Sequence, residues 1–149
     1  MSDMKVLTAI RKKFGGVIVD EFVKNDRRVY IMVHKDDVPQ VCRYCFEELG
    51  GRLAIATGHD TRSGVEVLYH FMFPGDHQLI TVRTILAKPS PEVESIATFL
   101  HAAEWIEREI HDFFGVRFTG HPDPRRILMA DDWPADVYPY RRDFKEPES

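Results

Sequence analysis

The sequence predicts an α+β fold: a mostly antiparallel sheet, helices packed on one face of it, and an extended, irregular arm at the C-terminal end. Three observations support this prediction. Strand-like runs rich in β-branched and aromatic residues lie between residues 17 and 86. Amphipathic helical patterns lie before, between and after these runs. Glycine and proline interrupt the chain repeatedly after residue 115. We therefore predict an α+β domain over residues 1–114 and an extended C-terminal arm over residues 115–149.

The first third of the chain predicts a helix, a hairpin and a second helix. Apolar residues at spacings of one, three and four predict a short amphipathic helix over residues 6–14, which ends at a Gly-Gly pair. Residues 17–23 and 28–33 are strand-like and flank a polar turn, which predicts a β-hairpin. A helix over residues 36–49 begins with two acidic residues and Pro39 in its first turn, and a second Gly-Gly pair ends it.

The middle of the chain predicts three further strands and a long helix. The strands cover residues 52–57, 64–73 and 78–86, and turn residues separate them. Ser90 is the predicted N-cap of the long helix and Pro91 its first residue, because serine caps helices and proline is tolerated in the first turn. This helix is predicted to continue to about residue 113.

The composition restricts the function classes. The chain has 149 residues, 44% of them hydrophobic, and a formal net charge of −4, which is typical of a globular domain and gives no general attraction to nucleic acid. No apolar run approaches the roughly 18 residues that span a membrane. The sequence shows no signal-peptide core and only two cysteines. We therefore expect a cytoplasmic protein that binds no nucleic acid and reaches a membrane only through a partner.

The last helix carries a carboxylate where the pattern predicts apolar packing. Glu107 falls inside the apolar stripe of this helix, and an unpaired buried charge is costly. Either the helix end is exposed and Glu107 reaches water, or Arg125 or Arg126 folds back to pair with it. On the polar side of the helix, Trp105 is either an exposed interface anchor or is covered by the C-terminal arm or a strand. The stripe consists of Ile96, Phe99, Leu100, Ala103, Ile106, Ile110 and Phe114.

Cysteine and histidine spacings give little support for a metal or redox site. Cys42 and Cys45 form a Cys-x-x-Cys pair, but they lie inside a predicted helix, and iron–sulfur or structural zinc sites need four ligands. We interpret the pair as core packing. The alternative, of a different class, is a small soluble metal-binding or dithiol redox protein that uses Cys42 and Cys45. None of the seven histidines forms a His-Glu-x-x-His motif, and His121 is predicted to organise its loop by hydrogen bonds.

A dense run near the C-terminus carries a family resemblance. The run Glu107-Arg108-Glu109, Asp112, Gly115, Phe118, Gly120-His121-Pro122-Asp123 and Arg125-Arg126-Ile127-Leu128 resembles the signature of the C-subunit family of complex I, the NADH dehydrogenase of the respiratory chain. That family includes homologous subunits of membrane-bound, energy-converting [NiFe] hydrogenases. The later segments Asp131-Asp132-Trp133-Pro134, Val137-Tyr138-Pro139 and Arg141-Arg142-Asp143-Phe144 resemble the hydrogenase-type members. Respiratory complex I members usually have leucine at the place of Pro124 and often an aromatic residue at that of His111, which favours the hydrogenase branch.

The resemblance implies a non-catalytic, cofactor-free structural subunit. It implies packing on a [NiFe]-type large subunit near the iron–sulfur small subunit, on the cytoplasmic side of the membrane, with the [NiFe] centre and iron–sulfur clusters in those partners. Because the chain lacks the second Cys-x-x-Cys pair that holds such a centre, we expect it to be neither the large subunit nor a fused form. The alternative within the family is the C-type subunit of a complex I-type NADH/quinone oxidoreductase. The predicted partner-docking residues are Glu107, Arg108, Glu109, Asp112, His121, Asp123, Arg125, Arg126, Trp133, Tyr138, Arg141 and Arg142.

The C-terminal arm has the chemistry expected of a docking segment. Gly115 and Gly120 permit sharp backbone turns, and prolines stiffen the loop, which lowers the entropy lost on docking. The aromatic rings of the arm, Tyr140 among them, are predicted to bury at an interface, while Arg141 and Arg142 are predicted to pair with partner carboxylates.

Overall fold

The computed structural model describes residues 5–75, 77–123, 125, 134 and 137–141. It confirms an α+β fold with seven strands and three α-helices among these residues. The elements in chain order are α1 (Lys5–Phe14), β1 (Ile18–Val23), β2 (Arg28–Val33), a 3-10 turn (Lys35–Asp37), α2 (Val38–Arg43), a π-helical turn (Tyr44–Glu48), β3 (Arg52–Asp60), β4 (Val65–Phe73), β5 (Gln78–Leu86), β6 (Glu92–Glu94), α3 (Ala103–Phe114) and β7 (Arg117–Thr119).

The main sheet has five strands in the order β1-β2-β5-β4-β3. Only β2 and β5 pair in parallel, and the other three neighbouring pairs are antiparallel. All five strands that the sequence predicts therefore form. Their alternation of apolar and polar residues specifies the register, because a shift by one residue would turn every buried side chain to the other face.

One face of the sheet is buried under the helices. Along β4 every second residue from Val65 to Phe73 is buried, while the residues between them are more exposed. The core side chains of α1 and α2, such as Leu7, Ile10 and Val41, are fully buried on this side. Helix α3 packs on β3 at Gly58, where a Cβ would lie 2.6 Å from the Phe114 ring. Glycine at this position permits the close approach of helix to strand.

The last helix begins later than the sequence predicts. Residues 92–94 form strand β6 instead of the first turn of a helix, and α3 starts only at Ala103. The parallel pairing of β6 with β7 explains the difference, because it gives this stretch hydrogen-bond partners outside any helix. The amide of Ser95 donates to the carbonyl of Thr119 at 2.8 Å, and the amide of Arg117 donates to that of Pro91 at 2.9 Å.

The stretch after α3 is also more ordered than the irregular arm that the sequence predicts. Gly115 ends the helix in the left-handed conformation, with φ of 74°. Val116 and Phe118 are buried in the core, and β7 pairs with β6. Residues 116–119 therefore pack with the α+β domain, and the boundary between residues 114 and 115 stays a prediction. Within the described part of the chain, no helix combines the length and apolar character needed to cross a bilayer.

Candidate functional site

Glu107 is the most buried acidic residue of the motif. Its side chain is 0% exposed, and three donors bind its carboxylate. The Tyr69 hydroxyl donates to Oε2 at 2.9 Å, the Ser95 hydroxyl to Oε1 at 2.5 Å, and the Ile96 amide to Oε2 at 3.1 Å. The carboxylate thus joins α3 to strand β4 and to the residues after β6. The hydrogen bonds replace the water that a charged group loses on burial.

Of the two sequence hypotheses about Glu107, the one in which it reaches water is wrong, and the one in which an arginine pairs with it is wrong for Arg125. The side chain does not reach water, and Arg125 does not bind it. Arg125 instead makes a bidentate contact with Asp123, from Nε to Oδ1 and from Nη2 to Oδ2, each at 2.8 Å. A carboxylate two residues away is the nearer partner for this exposed guanidinium. The other arginine of that hypothesis, Arg126, lies outside the described residues.

The electrostatics of the Glu107 site follow from burial. Loss of water raises the pKa of Glu107, and the hydrogen bonds from Ser95, Ile96 and Tyr69 act in the opposite direction. Burial and then the charge of Glu107 raise the pKa of Tyr69 well above its usual value. Tyr69 therefore keeps its proton, and its hydroxyl donates a hydrogen bond to the carboxylate.

His121 fastens the turn after β7 to helix α3. Its ring is almost fully buried, and Nδ1 accepts a hydrogen bond from the Asp123 amide at 2.9 Å. The proton of the neutral ring is therefore on Nε2, which donates to the Glu104 carbonyl at 2.9 Å. Nε2 also lies 3.8 Å from Oε1 of Glu107. The prediction that His121 organises its loop by hydrogen bonds is confirmed.

Arg108 and Asp123 hold the same turn from the solvent side. The Nε of Arg108 donates to the Arg125 carbonyl at 2.7 Å, and its Nη1 lies 3.5 Å from Oδ2 of Asp123. The hydrogen bond from Arg125, followed by the charges of both arginines, holds the pKa of Asp123 well below its usual range. Asp112, a further residue of the motif, is buried. The motif charges thus serve largely to fix the chain's own backbone.

Two motif-region side chains remain at the surface of α3. Trp105 is 65% exposed, and Glu109, one turn further along the same helix face, is also exposed. This is the exposed alternative of the two predicted for Trp105. Arg125 lies close by, because its backbone binds Arg108. We call Trp105, Glu109 and Arg125 the α3 surface.

Residues 137–141 close over the C-terminal end of α3. The Nε of Arg141 donates to the Phe114 carbonyl at 2.6 Å, and the Tyr140 amide donates to that of Phe113 at 2.9 Å. The rings of Phe113 and Tyr140 stack at 4.2 Å. A Cβ on Gly115 would lie 2.5 Å from the ring of Tyr138.

This arrangement changes the interpretation of the arm. Tyr138 and Arg141 contact the chain's own helix, and Arg141 binds one carbonyl group at its negative end. Their docking to a partner stays a prediction. Trp133 and Arg142 lie outside the described residues.

A cleft of about 270 Å³ lies between α3 and β7. Sequence reasoning gave no role in docking to five of its lining residues, among them His111, Arg117 and Thr119. The alternation of buried Phe118 with outward Arg117 and Thr119 could have indicated the strand β7. It was missed because the residues after 115 were predicted to be irregular. The lining residues are Glu107, Arg108, His111, Arg117, Phe118, Thr119, Gly120 and His121.

The two cysteines lie in the core. Cys42 and Cys45 are free thiols and are fully buried beside the π-helical turn. Burial raises the pKa of Cys42 well above its usual value and that of Cys45 to about 12. Since the thiolate is the form that binds metals and attacks disulfides, this environment supports core packing and disfavours the metal or dithiol alternative. Among the described residues, no group of three or more potential ligands could hold a metal ion.

Comparison with known proteins places this geometry in a family. Formate hydrogenlyase subunit 5 of Escherichia coli (strain K12) is 33% identical over 141 residues, which cover 92% of this chain and 25% of that protein. The C-type subunit of NADH-quinone oxidoreductase from Chloroherpeton thalassium is 34% identical over 145 residues, which cover 93% of this chain and 59% of that protein. The chain thus spans about a quarter of the length of the first relative and somewhat over half of the length of the second.

A solved structure shows the same fold. A chain of the membrane-bound sulfane sulfur reductase, an archaeal respiratory membrane complex, superposes with a TM-score of 0.77 at 25% identity and covers 95% of this chain and 85% of its own length. The family model described as the respiratory-chain NADH dehydrogenase 30 kDa subunit matches residues 31–149. The chain therefore belongs to the respiratory-chain NADH dehydrogenase 30 kDa subunit family, a complex I-related family that also includes hydrogenase subunits.

Proposed function

We propose that this chain is a non-catalytic, cofactor-free structural subunit of a membrane-bound, energy-converting [NiFe] hydrogenase complex. In this proposal it docks on the large subunit, near the iron–sulfur small subunit, on the cytoplasmic side of the membrane. The [NiFe] centre and the iron–sulfur clusters belong to those partners. The complex couples a donor such as ferredoxin to proton reduction and ion translocation, and this chain carries none of the electrons.

The observation that carries the proposal is that charged and polar residues of the motif hold the chain's own helix and turn in place. Glu107 and His121 are buried and fix α3 to the sheet and to the turn after β7. Arg108 binds the backbone of the same turn from the other side. These contacts join the helix and the turn into one rigid surface. A subunit that docks on a partner needs such a surface.

The α3 surface has the composition of a docking site. A tryptophan that is exposed on a rigid helix offers a large area at a low cost in side-chain entropy, and tryptophan and arginine are enriched among residues that dominate binding energy. Trp105 is 65% exposed, Glu109 lies one turn further along the same helix face, and the backbone of Arg125 binds Arg108 of this helix. An apolar anchor flanked by both charge signs suits a protein partner.

The names of the relatives and the sequence support the hydrogenase branch. Formate hydrogenlyase subunit 5 and Hydrogenase-4 component G, both from Escherichia coli (strain K12), match at 33% identity. Pro124, His111 and the segment from Asp131 to Phe144 resemble hydrogenase-type members. The second candidate is the C-type subunit of a complex I-type oxidoreductase, which the 34% identity to the Chloroherpeton thalassium protein supports.

Purification of the tagged chain from its own organism tests the proposal. We expect a large subunit with two Cys-x-x-Cys pairs to co-purify in stoichiometric amount, together with iron–sulfur proteins and membrane subunits. A large subunit that lacks these pairs would instead support the complex I alternative. Recovery of the chain alone from gently solubilised membranes and from the soluble fraction would contradict both. Zinc or iron bound to the isolated chain through Cys42 and Cys45 would contradict a cofactor-free subunit.

A further inference from the structure

We infer that the cleft between α3 and β7 receives an aspartate or glutamate side chain of a neighbouring subunit, and that Arg117 binds its carboxylate. This inference deepens the docking role and rests on the proposed function. It adds a second contact to the α3 surface and states the chemistry of the partner at that contact.

The positive charge of the cleft comes from both of its walls. Arg108 projects from α3 and Arg117 from β7, and both line the cleft with His111. The chain as a whole has a net charge of −4, so a cleft with a guanidinium on each wall differs from the general surface. A cationic guest would meet these two charges, whereas a carboxylate is complementary to them.

Arg117 is the arginine available to a guest. It alternates with buried Phe118 along β7, so its side chain points outward and is 77% exposed. Within the described part of the chain, its ion pair is with the exposed Glu92, at 3.9 Å between Nη1 and Oε2. An exposed pair at that distance contributes little free energy. Most of the five N–H donors of the guanidinium therefore remain for a bidentate contact with a partner carboxylate.

Arg108 has a different role in the cleft, because contacts within the chain already hold its side chain in place. Its side chain is only 11% exposed, and it binds the Arg125 carbonyl and Asp123. It supplies a fixed positive charge on the wall of the cleft without the entropy cost of ordering a long side chain. His111 is likewise fixed, because its Nδ1 donates to the Val116 carbonyl at 2.9 Å.

The floor of the cleft limits how deeply the guest enters. Glu107 lies there, and its two oxygens are bound by Tyr69, Ser95 and the Ile96 amide. A second carboxylate at the floor would be repelled by Glu107. The carboxylate of the guest therefore stays at the mouth of the cleft of about 270 Å³, beside Arg117, and does not reach the floor.

Zero-length cross-linking of the assembled complex tests this inference. A carbodiimide joins a carboxylate to an amine, so Arg117→Lys converts the contact into a reactive pair while it keeps the charge. Glu92→Gln in the same chain removes the internal carboxylate. We expect mass spectrometry to find position 117 joined to an aspartate or glutamate of another subunit. The matched control, Arg27→Lys in the exposed β1–β2 turn, is expected to give no such product.

A second measurement covers the case in which the cross-link is inefficient. In the Glu92→Gln background, Arg117→Glu is expected to weaken assembly about tenfold, because like charges then meet at the contact. The unfolding midpoint of the chain alone is expected to stay unchanged. If the complex forms with unchanged affinity and position 117 cross-links to no other subunit, the inference is wrong although the proposed function stands. If the wild-type chain enters no complex, the proposed function itself fails.

Discussion

The hydroxyl of Tyr69 lies 2.9 Å from Oε2 of Glu107, and this hydrogen bond joins the centre of strand β4 to helix α3 through the core. Both side chains are fully buried. The contact connects residues 38 positions apart, so it forms only when the helix is seated on the sheet. It adds a buried polar contact to the apolar packing that places the motif helix on the sheet.

Removal of the Tyr69 hydroxyl is expected to destabilise the chain. Tyr69→Phe leaves the Glu107 carboxylate with two donors in place of three, and a buried acceptor that loses its partner costs about 1–3 kcal/mol. Urea unfolding followed by circular dichroism measures the free energy of unfolding. The control is Tyr30→Phe on the open face of the sheet, where the ring is only half-buried. Equal losses in the two variants would show that the hydrogen bond to Glu107 has no special weight.

The raised pKa of Glu107 predicts a specific pH dependence of stability. Because the folded-state pKa is raised, the folded chain binds this proton more tightly than the unfolded chain. The resulting stabilisation is fully present below the unfolded pKa and is lost as the pH rises through the folded pKa. Glu107→Gln removes this proton equilibrium. We therefore expect the free energy of unfolding of the wild type, relative to Glu107→Gln, to fall as the pH rises from below 4.5 toward neutrality.

Urea titrations of both proteins at a series of pH values provide the measurement for Glu107. Glu109→Gln is the control, because Glu109 is exposed on the same helix. Its stability relative to the wild type is expected to change little over the same range. A wild-type advantage over Glu107→Gln that grows with rising pH would have the opposite sign and would refute the assignment of a raised pKa.

Trp105 is expected to contribute to assembly and hardly to folding. Trp105→Ala removes an exposed ring, so the unfolding midpoint of the isolated chain should move little. Loss of an interface anchor of this type costs at least about 2 kcal/mol of binding free energy, which is roughly a thirtyfold loss of affinity. Quantitative pull-down of the co-purifying large subunit measures the loss. Phe22→Ala, at an exposed ring on β1, is the matched control; the prediction fails if both variants assemble alike.

The contact between Arg141 and the end of α3 is expected to stabilise that end. Arg141→Ala removes a charged donor from the Phe114 carbonyl, and a cation at the C-terminal end of a helix contributes about 0.3–2 kcal/mol. Hydrogen exchange of the amides in residues 111–115 should accelerate, while exchange in β4 stays unchanged. Arg62→Ala, in the exposed turn before β4, serves as the control. Unchanged exchange at the end of α3 would mean that residues 137–141 do not hold it.

The sequence predicts the strands well because their signal is local. The alternation from Val65 to Phe73 follows the pleat of a half-buried strand, so one face is determined before any partner is known. The start of α3 was misplaced for a physical reason. Ile96 and Leu100 are buried at helical spacing, and the Leu100 amide donates to the Ile96 carbonyl at 2.9 Å, although both lie in turns outside the helix.

The candidate site was predictable in its residues and not in its contacts. The motif from Glu107 to Leu128 identifies the segment that forms the candidate site, because its dense combination of charged and turn residues is specific to the family. The partner of Glu107 depends on tertiary packing, which no spacing in the sequence encodes, so the nearby arginines were the natural hypothesis. Arg117 was overlooked because the parallel pairing of β6 with β7 joins two short segments that each look irregular alone.

Gly58 and Gly115 bound the end of helix α3 from two sides. A Cβ at position 58 would lie 2.6 Å from the Phe114 ring, and one at position 115 would lie 2.5 Å from that of Tyr138. The helix end therefore leaves almost no free space toward β3 or toward residues 137–141, which cover it. A methyl group at position 58 would force a shift at the Phe114 ring, on the helix that carries His111 into the wall of the cleft. The position of this wall of the cleft is thus set at two glycines that do not line it.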